Sequence, residues 1–161
     1  MRFALRPARP DDAPTLGALH HLVWQAAYGP LVPPSVWRER LVEHTVARWT
    51  RTLTRGTAAW PWLAYAGGTL VGFASAGPAP AGAVRDWELH ALYVHPTAQG
   101  SGVAAELLTA ALGQSPAFLW VAAGNARAQA FYRRHGFRAD GARGHYPLTA
   151  TVQLPIMRMI R

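Results

Sequence analysis

The segment His95–Leu108 reads HPTAQGSGVAAELL and joins two patterns of different kind. Before it, the apolar run WELHALYV is typical of a buried strand, and after Gly102 the apolar residues recur with helical spacing. The first N–H groups of a helix have no intrahelical partner, and the helix dipole favours negative charge there. Because Gly100, Gly102 and Ala104 carry almost no side chain, this turn predicts a site where a phosphate approaches the backbone.

The rest of the chain limits which phosphate site this turn resembles. A plain loop that caps a helix is one interpretation, and a short glycine motif alone does not exclude it. A P-loop is excluded because it needs a lysine, and all 16 basic residues are arginine. Gly100–Ala105 matches the relaxed dinucleotide-binding form G-x-G-x-x-A. However, no acidic residue stands between Leu107 and Ala139 to bind a ribose, which disfavours that interpretation.

Periodicity along the chain predicts six to seven strands and about four helices. The candidate strands are FALRPA, TAAWPWLAYAG, TLVGFASAG, WELHALYV, AFLWVAA, GFRADG and VQLPIMRMI. The candidate helices run from Ala13 to Tyr28, with an N-cap in Pro10-Asp11-Asp12, from Gly102 to Leu112, and from Asn125 to His135. Ser35 can cap a further helix, and the segment from there to about Gly56 is expected to be helical with a loop. We therefore expect an α/β (α+β) fold with a mixed, mostly antiparallel central sheet, as one domain over residues 1–161.

The composition is that of a folded protein with a basic surface. Half of the residues are hydrophobic, and the absence of cysteine excludes disulfides, thiolate metal sites and a cysteine nucleophile. The formal net charge is +8, but the arginines are scattered from Arg2 to Arg161, so we expect no nucleic-acid partner. The sequence has neither a signal-peptide pattern nor an apolar run that would cross a bilayer, so we expect a cytoplasmic protein without a membrane partner.

Two motifs in the second half of the chain resemble those of one enzyme family. Gln99–Ala104, preceded by LYVHP, resembles the Gln/Arg-x-x-Gly-x-Gly/Ala loop of the GCN5-related N-acetyltransferase (GNAT) family. Asn125–Phe137 resembles that family's Asn-x-x-Ala-x-x-Phe-Tyr-x-x-x-Gly-Phe motif at matching spacing, and both ends of the chain are similar to family ends. The resemblance implies acetyl-CoA as the acetyl donor and a sheet whose fourth and fifth strands, here WELHALYV and AFLWVAA, splay apart.

The resemblance also implies the residues that bind the cofactor. Pantetheine would bond the backbone of the fourth strand like an added strand, and the pyrophosphate would lie on the glycine turn. The implied residues are Leu92, Tyr93, Val94, Gln99, Gly100, Ser101, Gly102, Val103, Ala104, Asn125, Ala128, Phe131 and Tyr132. Asn125 and Tyr132 are nearly two helical turns apart, so both point to one helix face, with the small Ala128 between them.

Direct attack of an amine on a thioester needs a base and an acid. The resemblance implies that Tyr132 is the acid that protonates the leaving thiolate. Glu88 stands where several family members carry a glutamate base, and His90 shares its strand face because it is two residues further on. We rank Glu88 first and His90 second as the base, acting directly or through water. The alternative interpretations are a structural ion pair for Glu88 and simple packing for His90.

The acceptor site is expected among the first helices and the loop that follows them. The candidates are Trp24, Tyr28, Leu31 and His90, with His20 or His21 in addition. The sequence does not distinguish a small amine, an amino acid, an antibiotic or a peptide N-terminus as the acceptor. The net charge of +8 favours an acceptor that is neutral or anionic apart from its amine. No metal is expected. The alternative function is a non-catalytic regulator that binds acyl-CoA. Some of the seven tryptophans are candidates for the surface of a homodimer.

Overall fold

The computed structural model describes residues 2–39 and 41–161 and contains one mixed sheet of seven strands. The strands are β1 (Ala4–Pro7), β2 (Trp62–Ala66), β3 (Thr69–Pro78), β4 (Trp87–Val94), β5 (Ala117–Ala122), β6 (Arg138–Pro147) and β7 (Gln153–Ile160). The helices are α1 (Ala13–Tyr28), α2 (Val36–Glu39), α3 (Val42–Arg55), α4 (Val103–Leu112) and α5 (Ala126–Arg134). Residues 1 and 40 of the predicted domain lie outside the described residues.

The sheet confirms the predicted class. Its strand order is β1-β2-β3-β4-β5-β7-β6, and every neighbouring pair is antiparallel except β4 and β5. Helix α1 and strand β4 begin and end at the residues that the sequence pattern predicts. Both carry strong local signals, because a proline and aspartate turn precedes α1 and His95-Pro96 follows β4.

The segment from Ser35 to Gly56 forms α2 and α3 with Leu41 in an extended conformation (φ −75°, ψ 149°) between them, which agrees with the predicted helical segment with a loop. The bounds of one strand differ from the prediction for a local reason. Strand β6 continues beyond the predicted end of GFRADG as far as Pro147. Its pairing with β7 shifts register around Gly141, whose φ of +89° lets the chain form a bulge and resume pairing.

Asp12 also differs from its predicted role as the cap of α1. It occupies the N-cap position, but its carboxylate makes no capping bond to that helix. Instead, the carboxylate accepts two bonds from the Arg6 guanidinium, at 2.8 and 2.7 Å, and one from the Arg9 N–H at 2.7 Å. The Tyr65 hydroxyl donates a further bond at 3.1 Å. The two-pronged bond to arginine is the stronger arrangement, and it ties β1 to the start of α1.

The parallel pair β4 and β5 is joined only over three residues of each strand. Trp87, Glu88 and Leu89 lie opposite Ala117, Phe118 and Leu119. Beyond Leu89, β4 continues to Val94 with β3 as its strand partner, and β5 continues to Ala122 with β7 as its partner. The two strands therefore splay apart, as predicted, and a groove opens between them.

Helices cover both faces of the sheet. On one face, α1 and α3 pack around Leu16, Leu53 and Phe73, which are buried. On the other face, α4 and α5 pack around Leu108 and Phe137. Beyond Leu89, the backbone of β4 is not covered by a strand on the β5 side. The side chains of β4 point alternately towards the two helical layers.

Candidate active site

The glycine turn forms one wall of the groove between β4 and β5. Gly100 (φ +81°) and Gly102 (φ +95°) have backbone conformations that other residues rarely adopt, and Gly102 is the N-cap of α4. No atom lies within 4 Å of the position that a Cβ would take at either residue. The bare backbone and the positive end of the helix dipole therefore both face open space, as an anion site requires.

Gln99 ties this turn to its surroundings. Its Nε2 donates to the Val94 carbonyl at 3.3 Å, and its Oε1 accepts a bond from the Arg127 guanidinium of α5. The side chain thus links the end of β4, the turn and α5. Arg127 was not among the predicted site residues, although it lies within the Asn125–Phe137 motif and lines the groove.

The groove has a volume of about 680 Å³ and brings together most of the predicted cofactor residues. Its lining includes Leu92, Tyr93, Val94, Gln99, Gly100, Gly102, Ala104, Asn125, Ala128, Phe131 and Tyr132. The side chains of Ser101 and Val103 do not line it. The Ser101 hydroxyl donates its proton to the Ala98 carbonyl, so it has no donor left for a phosphate, and the Val103 side chain is buried in the core.

Tyr132 and Asn125 lie on one face of α5, at the groove. The Asn125 Oδ1 accepts the Ala128 N–H at 3.0 Å, which caps the helix and leaves the NH₂ of the same amide for another partner. The Tyr132 ring is only 8% exposed and packs against Phe131 and Phe137. Burial, and secondarily the nearby Tyr28, raises the pKa of the Tyr132 phenol, so it holds its proton at neutral pH.

A second cavity, of about 810 Å³, lies on the opposite side of β4. It is framed by α1, α3, β4 and parts of β5 and β7. The residues that line both cavities are Tyr28, His90, Ala91, Tyr93 and Trp120. The two spaces therefore meet at β4, where a group carried in one can reach a molecule held in the other.

Hydrogen-bonded aromatic side chains form this junction. The Trp24 indole N–H donates to the Tyr93 hydroxyl at 2.9 Å, and the Tyr28 and Tyr93 hydroxyls are 3.1 Å apart. Burial raises the pKa of Tyr93 well above the ordinary phenol value, and the nearby Tyr28 adds to the rise. Trp24 and Tyr28, both predicted as acceptor residues, therefore lie at the junction of the two cavities.

Glu88 and His90 also line the second cavity. The Glu88 carboxylate lies 3.8 Å from His90 Nδ1, and their side chains are 21% and 39% exposed. In the pairing of β3 with β4, Ser75 faces Ala91 and Ala76 faces Leu89, so His90 is the extra residue of a bulge. A bulge re-aims the side chains beside it, which brings His90 to the junction of the two cavities.

Leu31 does not take the position predicted for it. It lies outside the lining of both cavities, 38% exposed, with its side chain over Gly124. The chain turns away in a 3₁₀ helix directly after α1, which removes Leu31 from the cavity that Tyr28 lines. Both His20 and His21 do line it. The second cavity also contains residues that sequence reasoning missed, namely Trp37, His44, Arg48, Trp49 and Trp120.

No group of three or more histidine and acidic side chains in residues 2–39 and 41–161 is placed to hold a metal ion. Within the same ranges, no helix has the length and apolar character needed to span a membrane.

Comparison with known proteins identifies the family. The profile of the acetyltransferase (GNAT) family matches residues 17–137. "Probable N-acetyltransferase Rv2775" of Mycobacterium tuberculosis is 33% identical over 150 residues, which cover 85% of this chain and 80% of that protein.

Solved structures show the same fold at lower sequence identity. The PaiA N-acetyltransferase of Thermoplasma acidophilum, in complex with coenzyme A, has a TM-score of 0.67 at 22% identity and covers 98% of both chains. YncA of Salmonella typhimurium, a putative acetyltransferase with its cofactor acetyl-CoA, has a TM-score of 0.67 at 17% identity and covers 100% of this chain and 94% of that one. With the profile match over residues 17–137, these findings mean that the chain belongs to the acetyltransferase (GNAT) family.

Proposed function

We propose that this protein transfers an acetyl group from acetyl-CoA to a primary amine by direct attack of the amine. The observation that carries the proposal is the meeting of two cavities at β4. One has a bare glycine turn at the start of α4, and the other has a carboxylate and imidazoles. Family membership and the neighbours that hold coenzyme A or acetyl-CoA support the choice of donor.

The groove fits acetyl-CoA, which when bound supplies the acetyl thioester. The backbone of Gly100 to Ala104 would receive the pyrophosphate, because open space takes the place of Cβ atoms there. Beyond Leu89, the backbone of β4 has no strand partner on the β5 side, so Leu92, Tyr93 and Val94 would bond the pantetheine amides. An N–H of the same edge would polarise the thioester carbonyl in the manner of an oxyanion hole.

Two proton transfers are assigned to this chain's own side chains. An alkylammonium has a pKa near 10 and must lose a proton before it attacks, so Glu88 receives that proton, directly or through water, with His90 as the second candidate. Tyr132 Oη donates a proton to the leaving sulfur. Its buried phenol is protonated at neutral pH, which is the state that an acid must have before the reaction.

Ligand-dependent melting tests the donor. At about 100 times Kd, acetyl-CoA should stabilise the protein by about 2.7 kcal/mol, whereas NAD should have no effect. For a chain of this size that corresponds to a rise in Tm of about 5–11 °C. Thiol release in the presence of a panel of primary amines tests the reaction itself and separates an enzyme from a protein that only binds acyl-CoA.

A matched pair of variants tests the place of binding. Gly102→Glu puts bulk and negative charge where the phosphates would lie and should abolish the shift. Gly82→Glu is the control because Gly82 has the same kind of backbone (φ +80°), open space around its Cβ position, and no part in either cavity lining. Equal shifts with NAD, or equal loss of the shift in both variants, would contradict the proposal.

A further inference from the structure

We propose that Arg48 binds an anionic group of the acceptor, so that the acceptor is a small amine with a carboxylate or similar anion on an apolar body. The inference rests on the proposed function, because it assigns the second cavity to the acceptor. Arg48 lies on α3 and faces β4 across that cavity. It is not one of the residues implied by the two sequence motifs, which belong to the other side of the sheet.

Neighbouring rings hold the Arg48 guanidinium in place. Its Nη2 is 3.0 Å from His20 Nδ1, and its carbon lies 5.8 Å from the centroid of the Trp49 ring. The Trp49 indole N–H donates to the same His20 nitrogen at 3.0 Å. That nitrogen therefore uses its lone pair as an acceptor, and His20 orients the guanidinium without neutralising it.

Arg48 has binding capacity that the protein does not use. A guanidinium has five N–H donors, and a single bond to His20 occupies one of them. Within the described part of the chain, no carboxylate lies within 4.0 Å of Arg48. The remaining donors form a planar fork that matches a carboxylate or phosphate, and Arg48 is exposed towards the cavity that would deliver one.

The other charges of the cavity favour the same acceptor. Among the described lining residues, Glu88 is the one carboxylate, and it already lies 3.8 Å from His90. A site for a polycation would be expected to present several carboxylates, whereas this cavity presents a permanent cation and histidines. The overall charge of +8 acts in the same direction, since it raises the local concentration of anions.

Arg48 lies close enough to the junction of the two cavities for one small molecule to contact both the arginine and the junction. The His20 ring, which contacts Arg48, is 5.3 Å from the Tyr93 ring, and Tyr93 borders both cavities. Only one ring thus separates the arginine from the junction. The walls between them are aromatic, with Trp24, Trp37, Trp49 and Trp120, so the body of the acceptor should be apolar or aromatic.

Matched amines test the inference by turnover. L-phenylalanine is compared with phenethylamine, and 4-(aminomethyl)benzoate with benzylamine, with acetyl-CoA held constant. In at least one pair we expect the anionic member to have a kcat/KM about tenfold higher, the size of one charge-assisted hydrogen bond. Arg48→Gln should remove that preference, so that the two members of the pair have similar kcat/KM values. Arg51→Gln, on the same helix but outside the cavity lining, should keep the preference.

A binding experiment keeps the inference testable if no amine in the panel reacts. Quenching of tryptophan fluorescence reports ligands in a cavity lined by four tryptophans, and the probes are 3-phenylpropionate and 3-phenylpropanamide. The carboxylate should bind about tenfold more tightly than the amide in the wild type and in Arg51→Gln, and equally in Arg48→Gln. Equal binding in the wild type, or a preference that survives Arg48→Gln, overturns the inference. Carboxylate binding without turnover of any amine instead counts against the proposed function alone.

Discussion

Gly17 allows α1 and α3 to approach so closely that a methyl group added at this residue should disturb the second cavity. A Cβ at Gly17 would lie 2.6 Å from both Cα and Cγ2 of Val46 and 2.9 Å from its backbone N. Carbon atoms in contact are ordinarily about 3.5–4.0 Å apart, so in Gly17→Ala helix α3 must retreat by on the order of 1 Å. Two of the three atoms belong to the backbone, so a rotation of the Val46 side chain cannot relieve the contact.

The expected loss of stability is the difference between two effects. Overpacking of this kind costs about 1–3 kcal/mol, whereas alanine in place of glycine within a helix stabilises by up to about 1 kcal/mol. We expect Gly17→Ala to lower the free energy of unfolding by about 1–2 kcal/mol and the Tm by about 2–8 °C. Gly29→Ala is the control, because Gly29 ends α1 with φ −48° and has no atom within 4 Å of its Cβ position. That variant should be neutral or slightly more stable.

The same displacement should affect function selectively. His20 lies on α1 and Arg48 on α3, and their 3.0 Å contact spans the space that would open. In Gly17→Ala the KM of an anionic acceptor should rise more than the Kd of acetyl-CoA, because α3 lines the second cavity and not the groove, whereas α1 lines both. Urea unfolding and steady-state kinetics measure the two effects. A Gly17→Ala protein as stable as Gly29→Ala, or one whose cofactor affinity falls as much as its acceptor affinity, would refute the reasoning.

Four further substitutions test the remaining assignments. Tyr132→Phe should lower kcat by about 100-fold or more with little change in coenzyme A affinity; an unchanged kcat with a good acceptor would exclude Tyr132 as the acid. Glu88→Gln should reduce kcat/KM more than His90→Gln does, and the reverse order would make His90 the base. The Arg6 guanidinium lowers the pKa of Asp12 to about 2. The stabilisation is present above the unfolded value of 3.8 and is lost as pH falls towards 2. Asp12→Asn should therefore cost about 1–2 kcal/mol at pH 7 in urea unfolding, and almost nothing near pH 2.

Features set by neighbouring residues could be predicted from the sequence. The bounds of α1 and β4, the glycine turn before α4 and the Asn125 cap all depend on signals within a few positions, such as proline, glycine and apolar period. Most of the groove lining could be predicted for the same reason, because it follows from one strand and the two motifs after it. The prediction for Leu31 was wrong because a short 3₁₀ helix, Gly29–Leu31, follows α1, and apolar periodicity does not predict such a turn.

The second cavity also depends on contacts between distant parts of the chain, so the residues that α1 and β4 contribute to its lining could be predicted and those of α3 could not. Helix α3 carries Arg48, Arg51 and Arg55, three arginines in one short segment with no local difference in their surroundings. Which of them faces β4 is decided by the approach of α3 to α1 at Gly17 and by the pairing of Arg48 with His20, 28 residues away. Neither contact can be recognised from the residues close to Arg48 in the sequence.

Strand β4 accounts for the joining of the two cavities. Its pairing with β5 ends at Leu89, which frees backbone groups for a ligand in the groove. The bulge at His90 begins at the next residue, and it brings side chains of the same strand to the other cavity. A strand that ran regularly beside β5 would have closed the groove and kept the two faces of the sheet apart. In the proposed function, the interruption after Leu89 is therefore the feature that would let a donor bound through backbone meet an acceptor bound through side chains. It also explains why Tyr93, two residues after Ala91, lies in the walls of both.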